Sequence, residues 1–536
     1  MSDAPPSSLA PLKGPVFRLL GLAWLAANVT MWMNDVAAAW LMTTLTDSAV
    51  MVALVQAAST LPVFVLGLPS GALADIVDRR RYFAVTQLWV ACVALLLCLA
   101  SLAGVLSAPL LLALTFANGI GLAMRWPVFA AIVPELVPRH ELPAALALNG
   151  VAMNMSRVIG PVLAGALLAG AGSAAVFALN AVLAIVAFVL ILRWKSQRKV
   201  SALPGERFLG AMRVGLQHVA QSPRMRAVLI RIFLFFLQST SLTALLPLVA
   251  RGLHGGVGGA GTFALLLASM GGGAVAAALY LPRLRQNISR DQFVRAGTVV
   301  HALAAVTVAF APTLWLAVPA MVVAGMAWIS TANSLTLAAQ MALPNWVRAR
   351  GMAIYQVALM GGAAAGSYLW GQVAGLSSVR VAVIAAAAAG VLLWLLTRRL
   401  SVEGGTDPDF SPARSGAVPE LAVPVAPDEG PVMVTIEYQI DPVQAEAFAE
   451  VMQKTRRARL QQGVLSWGLF RDATVRGRYI EYFVDETWIE HLRRLERFTA
   501  ADAGLREQRL AFHRGSAPPK VTRFVAENLR GGGSPF

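Results

Sequence analysis

Three charged side chains stand inside long apolar stretches of the chain: Asp35, Arg125 and Arg157. A charge at the centre of a bilayer costs roughly 2.5 to 3.5 kcal/mol on insertion scales, so each needs a partner or a wetted cavity. At a helical rise of about 1.5 Å per residue, Asp35 and Arg157 reach nearly the same depth, and Arg125 lies nearer the inner surface. The spacing of Asn28, Trp32 and Asp35 puts these three on one helix face. A carboxylate that meets Arg157 or Arg125 in one arrangement of helices and a proton in another would couple proton movement to a conformational change. A static ion pair that fixes helix register is the competing reading. Ser330, Asn333 and Ser334 form a second polar face, able to bond either a substrate or neighbouring helices. His301 reads as structural.

These residues need membrane helices to hold them. The chain has 536 residues, of which 57% are hydrophobic and 13% charged, whereas soluble domains carry roughly 25% charged residues. Apolar segments near or above the ~18-residue spanning length recur from residue 16 to residue 396 and then stop. They predict about twelve transmembrane helices. The net charge of +16 arises mainly before residue 400, in basic clusters that fall in alternate loops. This is the positive-inside pattern, so the charge sets topology and excludes nucleic acid as the expected partner. An even count with that bias predicts both termini in the cytoplasm, and the first apolar segment, longer than a signal-peptide core and interrupted by Asp35, is expected to stay as the first span rather than be cleaved. Cys92 and Cys98 lie six residues apart on one apolar segment, about 9 Å along a helix and beyond disulfide reach.

The expected organisation is an N-terminal tail (1–14), a six-helix bundle (15–194), a central cytoplasmic loop (195–225) and a second six-helix bundle (226–400). A flexible linker (401–430), a soluble domain (431–526) and a disordered end (527–536) follow. Each half ends its second span on a glycine-rich stretch and a basic turn, at 67–81 and again at 271–290. Paired six-span halves are typical of transporters that rock about a site between them.

The run from Gly71 through Asp75 to Arg79, Arg80 and Arg81 resembles the second-to-third-span loop of the major facilitator superfamily, with Ile76 and Asp78 as departures. Gly160-Pro161, in the fifth span, resembles that superfamily's exporter motif. The segment Asn345-Trp346-Val-Arg348-Ala-Arg350-Gly351, with the run from Val133 to Pro138 and Asn149, is similar to its transmembrane secretion effector branch, which includes enterobactin-exporter-like proteins. The resemblance implies an all-α membrane protein of the MFS fold that exports a drug, siderophore or other metabolite in exchange for protons. It also implies a location in the cell's inner membrane, with the first and fourth spans at the central cavity. Gly71, Asp75, Arg79, Arg80, Gly160, Pro161, Arg348 and Arg350 would then serve conformational gating. Uptake rather than export is the alternative direction.

The soluble end reads as a small α+β domain. Residues 432–440 alternate as a strand, Asp441-Pro442-Val-Gln444 caps a helix running to Gln461, and 464–470 with 478–484 form a hairpin. A second capped helix starts at Thr487, and 520–526 closes as a strand. This order suggests a ferredoxin-like fold and resembles antibiotic-biosynthesis-monooxygenase-like domains, which implies dimerisation through residues 431–526. Trp467 and His491 raise the alternative of a membrane-tethered enzyme or sensor. The domain shows no nucleophile pair, metal spacing or phosphate loop, so no catalysis, cofactor or metal is expected of it.

Overall fold

The computed structural model describes residues 10–138, 141–194, 208–253, 259–284, 288–403, 409–411, 413 and 421–527. Five of the basic loop residues that carry the topology expectation, Arg139, Lys195, Arg198, Lys199 and Arg285, lie outside the described residues. The chain divides into two compact units. One holds residues 1–202, 227–338 and 353–403; the other holds 203–226, 339–352 and 404–536. Residues 208–226 and the turn around Trp346 therefore group with the C-terminal residues.

The first unit opens with a short 3-10 helix, Ala10–Lys13. Its first half comprises α1 (Pro15–Leu45), α2 (Ala49–Ile76), α3 (Arg79–Leu102), α4 (Ala108–Leu136), α5 (Leu142–Gly170) and α6 (Gly172–Arg193). The apolar stretches are cut where a short polar residue can replace a missing backbone acceptor: the side chains of Ser48, Asp78 and Ser107 each accept the amide three residues on. Asp78, a departure from the loop motif, is thus the N-cap of α3. Helices α5 and α6 are joined tightly through Gly172, whose φ of +78° suits glycine alone among common residues.

Between the halves lies α7 (Phe208–Gln221), which belongs to the second unit. The second half follows as α8 (Pro223–Gly252), α9 (Ala260–Leu284), α10 (Arg290–Phe310), α11 (Leu314–Met341), α12 (Arg348–Leu376) and α13 (Val379–Leu396). Among the described residues, eleven helices are long and apolar enough to cross a membrane. The twelfth expected span, α12, is not one of them although it has 29 residues, because glycines, Gln356, Ser367 and Gln372 dilute its hydropathy.

Helix α1 packs on α5 and α6, α2 on α4, and α3 on α6. Contact between α5 and α9 joins the two halves. It is made by small residues, as membrane helices commonly do to bring backbones close. A methyl group added to Gly165 would overlap the Ala264 side chain, and one on Gly271 would lie 3.1 Å from the Arg157 carbonyl. Overpacking of this kind typically costs about 1–3 kcal/mol. Gly165→Leu is accordingly expected to lower the thermal midpoint of the detergent-solubilised protein, read by fluorescence-detected size exclusion, while leucine at exposed Gly150 leaves it unchanged.

In the second unit, β1 (Val432–Gln439), α14 (Ala445–Gln461), β2 (Ser466–Arg471), β3 (Arg478–Asp485), α15 (Trp488–Glu496), α16 (Ala500–Leu510) and β4 (Val521–Val525) form a small α+β body. All strand pairs are antiparallel, in the order β2-β3-β1-β4. Val432, Val434, Ile436 and Tyr438 alternate onto the buried face and pack with Phe448 and Met452 of α14. Helix α7 lies against α14: Gln217 donates to the Val464 carbonyl at 2.8 Å, and Arg213 pairs with Glu486 at 2.7 Å. Val214 occupies the space above Gly463, a residue with φ of +102°. Trp346 packs edge-on against His218 at 5.4 Å and lies 5.1 Å from the Arg497 guanidinium. Burial holds the His218 imidazole below its usual range despite its bond to the Gln461 carbonyl.

Candidate substrate and coupling site

Helix α1 carries Asp35, and the carboxylate accepts a hydrogen bond from Ser59 of α2 at 3.2 Å. Among the described residues no cation lies within ion-pair distance of it. Arg157, on α5, is instead flanked by two indole rings, 5.4 Å from that of Trp32 on α1 and 4.9 Å from that of Trp328 on α11. Its Nε and one terminal nitrogen make no hydrogen bond. Arg125, on α4, is 2% exposed and sits 5.3 Å from the Trp24 ring. It donates to the Ala27 carbonyl at 2.8 Å and reaches the Asn28 side-chain oxygen at 3.5 Å. The expected contact of Asp35 with Arg157 or Arg125 is therefore absent here, and so is the static ion pair offered as its alternative. Aromatic faces, each worth roughly 0.5–2 kcal/mol to a cation, take the place of a carboxylate at both arginines.

On the second polar face the hydroxyl protons are used within the helix. On α11 the Ser330 hydroxyl donates to the Met326 carbonyl, and Ser334 donates to the Ser330 carbonyl at 2.8 Å. Both hydroxyls are thus engaged by their own helix, and only Asn333 is exposed. His301, on α10, is fully buried edge-on to Phe235 at 5.8 Å.

Of the gating residues, Gly71 and Asp75 fall on the last turns of α2, and their side chains lie outside the described residues. Arg79 and Arg80 open α3, where the Arg80 guanidinium donates to the Leu192 carbonyl at the end of α6. Gly160 is where α5 meets α1, since a methyl group there would strike Trp32 and lie 3.3 Å from the Val29 carbonyl. Pro161 is buried beside it. Arg348 donates to the Leu343 carbonyl at 3.4 Å, and the Arg350 stem fills the space above Gly215. Ser59, Trp24 and Trp328 were not anticipated. For Trp24 the signal was available, because it stands four residues before Asn28 on the polar face of α1.

A second set of ionisable groups lies in the soluble body. Glu481 and Asp485 share the inner face of β3, four residues apart. Glu481 accepts from Tyr438 at 2.9 Å, Trp467 at 3.1 Å and Arg459 at 3.2 Å. Asp485 accepts from His491 at 2.7 Å and Arg494 at 2.9 Å, while Arg523 donates to the other His491 nitrogen at 3.2 Å. Burial pushes His491 below its usual range, partly offset by Asp485. Trp467 and His491 are thus held by neighbours in a buried network that ties the helices to the sheet.

The fold defines a class: a multi-pass helical membrane protein, with eleven candidate spans among the described residues and a small α+β body toward its C-terminal end. The chain belongs to the transmembrane secretion effector family of the major facilitator superfamily, whose pattern it matches over residues 6–530. It is 25% identical over 261 residues to the staphyloferrin A transporter of Staphylococcus aureus, covering 48% of this chain and 64% of that protein. It is 24% identical over 214 residues to macrolide efflux protein A of Streptococcus pyogenes, covering 39% of this chain and 53% of that one. The matched stretches thus span between half and two thirds of these relatives. Among solved structures, a POT family transporter in complex with thioalcohol conjugated peptide superposes with a TM-score of 0.59 at 12% identity, over 72% of this chain and 95% of the other. An inward-facing, occupied bacterial homolog of the human lysosomal transporter Spinster gives 0.59 at 15% identity, over 73% and 98%. The family and these relatives are transporters, not enzymes.

Proposed function

We propose that the chain is a secondary active transporter that exports a small molecule by alternating access of its two halves, with protons as the coupling ion. The observation that carries this reading is Asp35: a carboxylate inside an apolar helix whose partner is one hydroxyl, free to exchange a proton as its surroundings open and close. The Trp32–Arg157–Trp328 stack spans the two halves and is placed to form and break as they move. Siderophores or hydrophobic drugs are the substrate classes suggested by the relatives' names. In this reading α12 crosses as the twelfth span, both termini face the cytoplasm of an inner-membrane protein, and the ferredoxin-like body is accessory. Exposed Met433, Phe470 and Phe524 would let that body dimerise through its sheet.

Comparing metabolites retained by cells with and without the protein, then measuring flux of the enriched compound in proteoliposomes under an imposed pH gradient, tests the reading. No gradient-dependent flux of any enriched compound would refute it. The stack makes its own prediction. Trp328→Leu removes one cation–π contact, and roughly 0.5–2 kcal/mol redistributes the two access states by ~2- to 30-fold. Spin-label distances across the two halves should shift accordingly, and an unchanged distribution would remove the stack from the mechanism.

A further inference from the structure

A small pocket lies within the first half, lined by residues of α1, α3, α4 and α6 that include neither Asp35 nor the Trp32–Arg157–Trp328 stack. Its polar lining is Thr30, Asn34, Asn118, Arg125 and Asn180. Its volume is about 20 Å³, room for one water-sized particle. Asn34, Arg125 and Asn180 are at most 4% exposed. The Thr30 hydroxyl is already used, donating to the Ala27 carbonyl at 2.9 Å. Among the described residues, the Asn34 amide nitrogen, the Arg125 Nε and both polar atoms of the Asn180 amide have no hydrogen-bond partner. Buried polar groups left this way cost about 1–3 kcal/mol each, so a cluster of them points to a ligand.

The character of the ligand follows from charge. Arg125 is the one ionisable residue lining the pocket, and among the described residues no carboxylate pairs with it. Asp35, adjacent in sequence to Asn34, turns to Ser59 instead. The Ala27 carbonyl, the Asn28 oxygen and the Trp24 ring offset part of the guanidinium's charge with dipoles and a π-face. None of them supplies a negative charge. Asn34 offers a donor, and Asn180 offers another once its amide turns the NH₂ inward. A water molecule would satisfy these donors and still leave the cation unneutralised in a low-dielectric setting.

We propose that this pocket binds a small monovalent anion of halide size, chloride being the abundant example, as an internal counter-ion for Arg125. The site would neutralise the first half from within. Arg125 would then act as part of an anion site rather than as a competitor for the Asp35 carboxylate. Larger oxyanions and carboxylates do not fit the volume.

The test is the thermal midpoint of the purified full chain in detergent, titrated with sodium chloride or bromide against sodium gluconate at constant ionic strength. Stabilisation by a ligand that binds the folded state grows with concentration above its Kd. A saturable rise of a few degrees with either halide, and none with gluconate, is expected. Asn180→Asp places a fixed carboxylate in the pocket; it should abolish the halide response and bring the gluconate midpoint up to the wild-type halide value. Asn34→Ala, which removes one donor without adding charge, should raise the half-saturating halide concentration by about tenfold, the scale of one lost hydrogen bond to a charged group. If Asn180→Asp does not fold, Asn34→Ala with Asn180→Ala carries the same comparison. A wild-type protein indifferent to halide, or a halide response unchanged in the variants, overturns the proposal. The midpoint reads binding and not flux, so either result leaves the test of transport independent.

Discussion

Asp35→Asn is expected to reduce pH-gradient-driven transport in proteoliposomes to the level of empty vesicles, while the protein still folds and still binds its substrate. The substitution keeps the shape of the side chain. The Ser59 hydroxyl, 3.2 Å from the carboxylate, can donate to the amide oxygen in its place, so contact between α1 and α2 survives. What is lost is the ability to take and release a proton at any attainable pH. A group that is charged in one access state and neutral in the other is the minimum a proton-coupled carrier needs, and among the described residues Asp35 is the one acid placed within the long apolar helices away from their ends. Counterflow, in which labelled substrate exchanges with unlabelled substrate and no net proton moves, should persist in the variant. Proton-driven accumulation equal to wild type would end the assignment. Loss of counterflow together with accumulation would show instead that the residue holds the fold or the substrate.

Much of this site could be read from the residues, and its failures have definite causes. Depth along a helix follows from rise per residue, which is why Asp35 and Arg157 could be set at one level. Azimuth does not follow, and it decided the outcome: Asp35 faces Ser59 of α2, while Arg157 turns to Trp32 and Trp328. Indole rings partner a guanidinium without any charge of their own, so charge alone does not reveal them. The serines of α11 left two uses open for a related reason, since a hydroxyl in a membrane helix can donate to the carbonyl four residues back, as Ser334 does on Ser330. In the soluble body the alternation of Val432, Val434, Ile436 and Tyr438 was enough to mark β1. The signal for α16 was also present, as Thr499 and Asp502 form a capping box. Helix α7 was not foreseen although its signal was present: Val214, Gly215, His218 and Val219 are buried at helical spacing, while Leu216 and Ala220 are exposed. The partners that fix that face, Val464 and Glu486, lie some 250 positions away in the chain.

Glu481→Gln should unfold the soluble body at neutral pH without removing the protein from the membrane. Glu481 is completely buried on β3, bound to Tyr438, Trp467 and Arg459. Burial by itself would raise its carboxyl. The positive charges of Arg459 and Arg509, with the bonds from Trp467 and Tyr438, outweigh burial and hold it below the usual carboxylate range. Asp485 follows the same balance, with Arg494 and His491 opposing its burial. Glutamine keeps the shape of Glu481 and leaves two buried arginines without their counter-charge. Breaking a buried pair by removing one partner costs about 3–5 kcal/mol, enough to cancel most of the stability of a small domain at the low end of the usual range of about 5–15 kcal/mol. Hydrogen exchange of the full chain in detergent should show β1 and β3 amides unprotected in the variant, with α1 to α6 unchanged. The wild-type body has a matching pH dependence. His491, with a folded pKa below its free value of 6.5, begins to withdraw stability as the pH falls past that value. Glu481 and Asp485, also depressed, contribute stability that is complete above their free values of 4.5 and 3.8 and is lost as the pH falls through their folded ones. Protection in β3 should therefore decline in mild acid and collapse below about pH 4. Equal protection of β3 in wild type and Glu481→Gln at neutral pH would mean that the arginines have found another anion, and the network would lose its structural role.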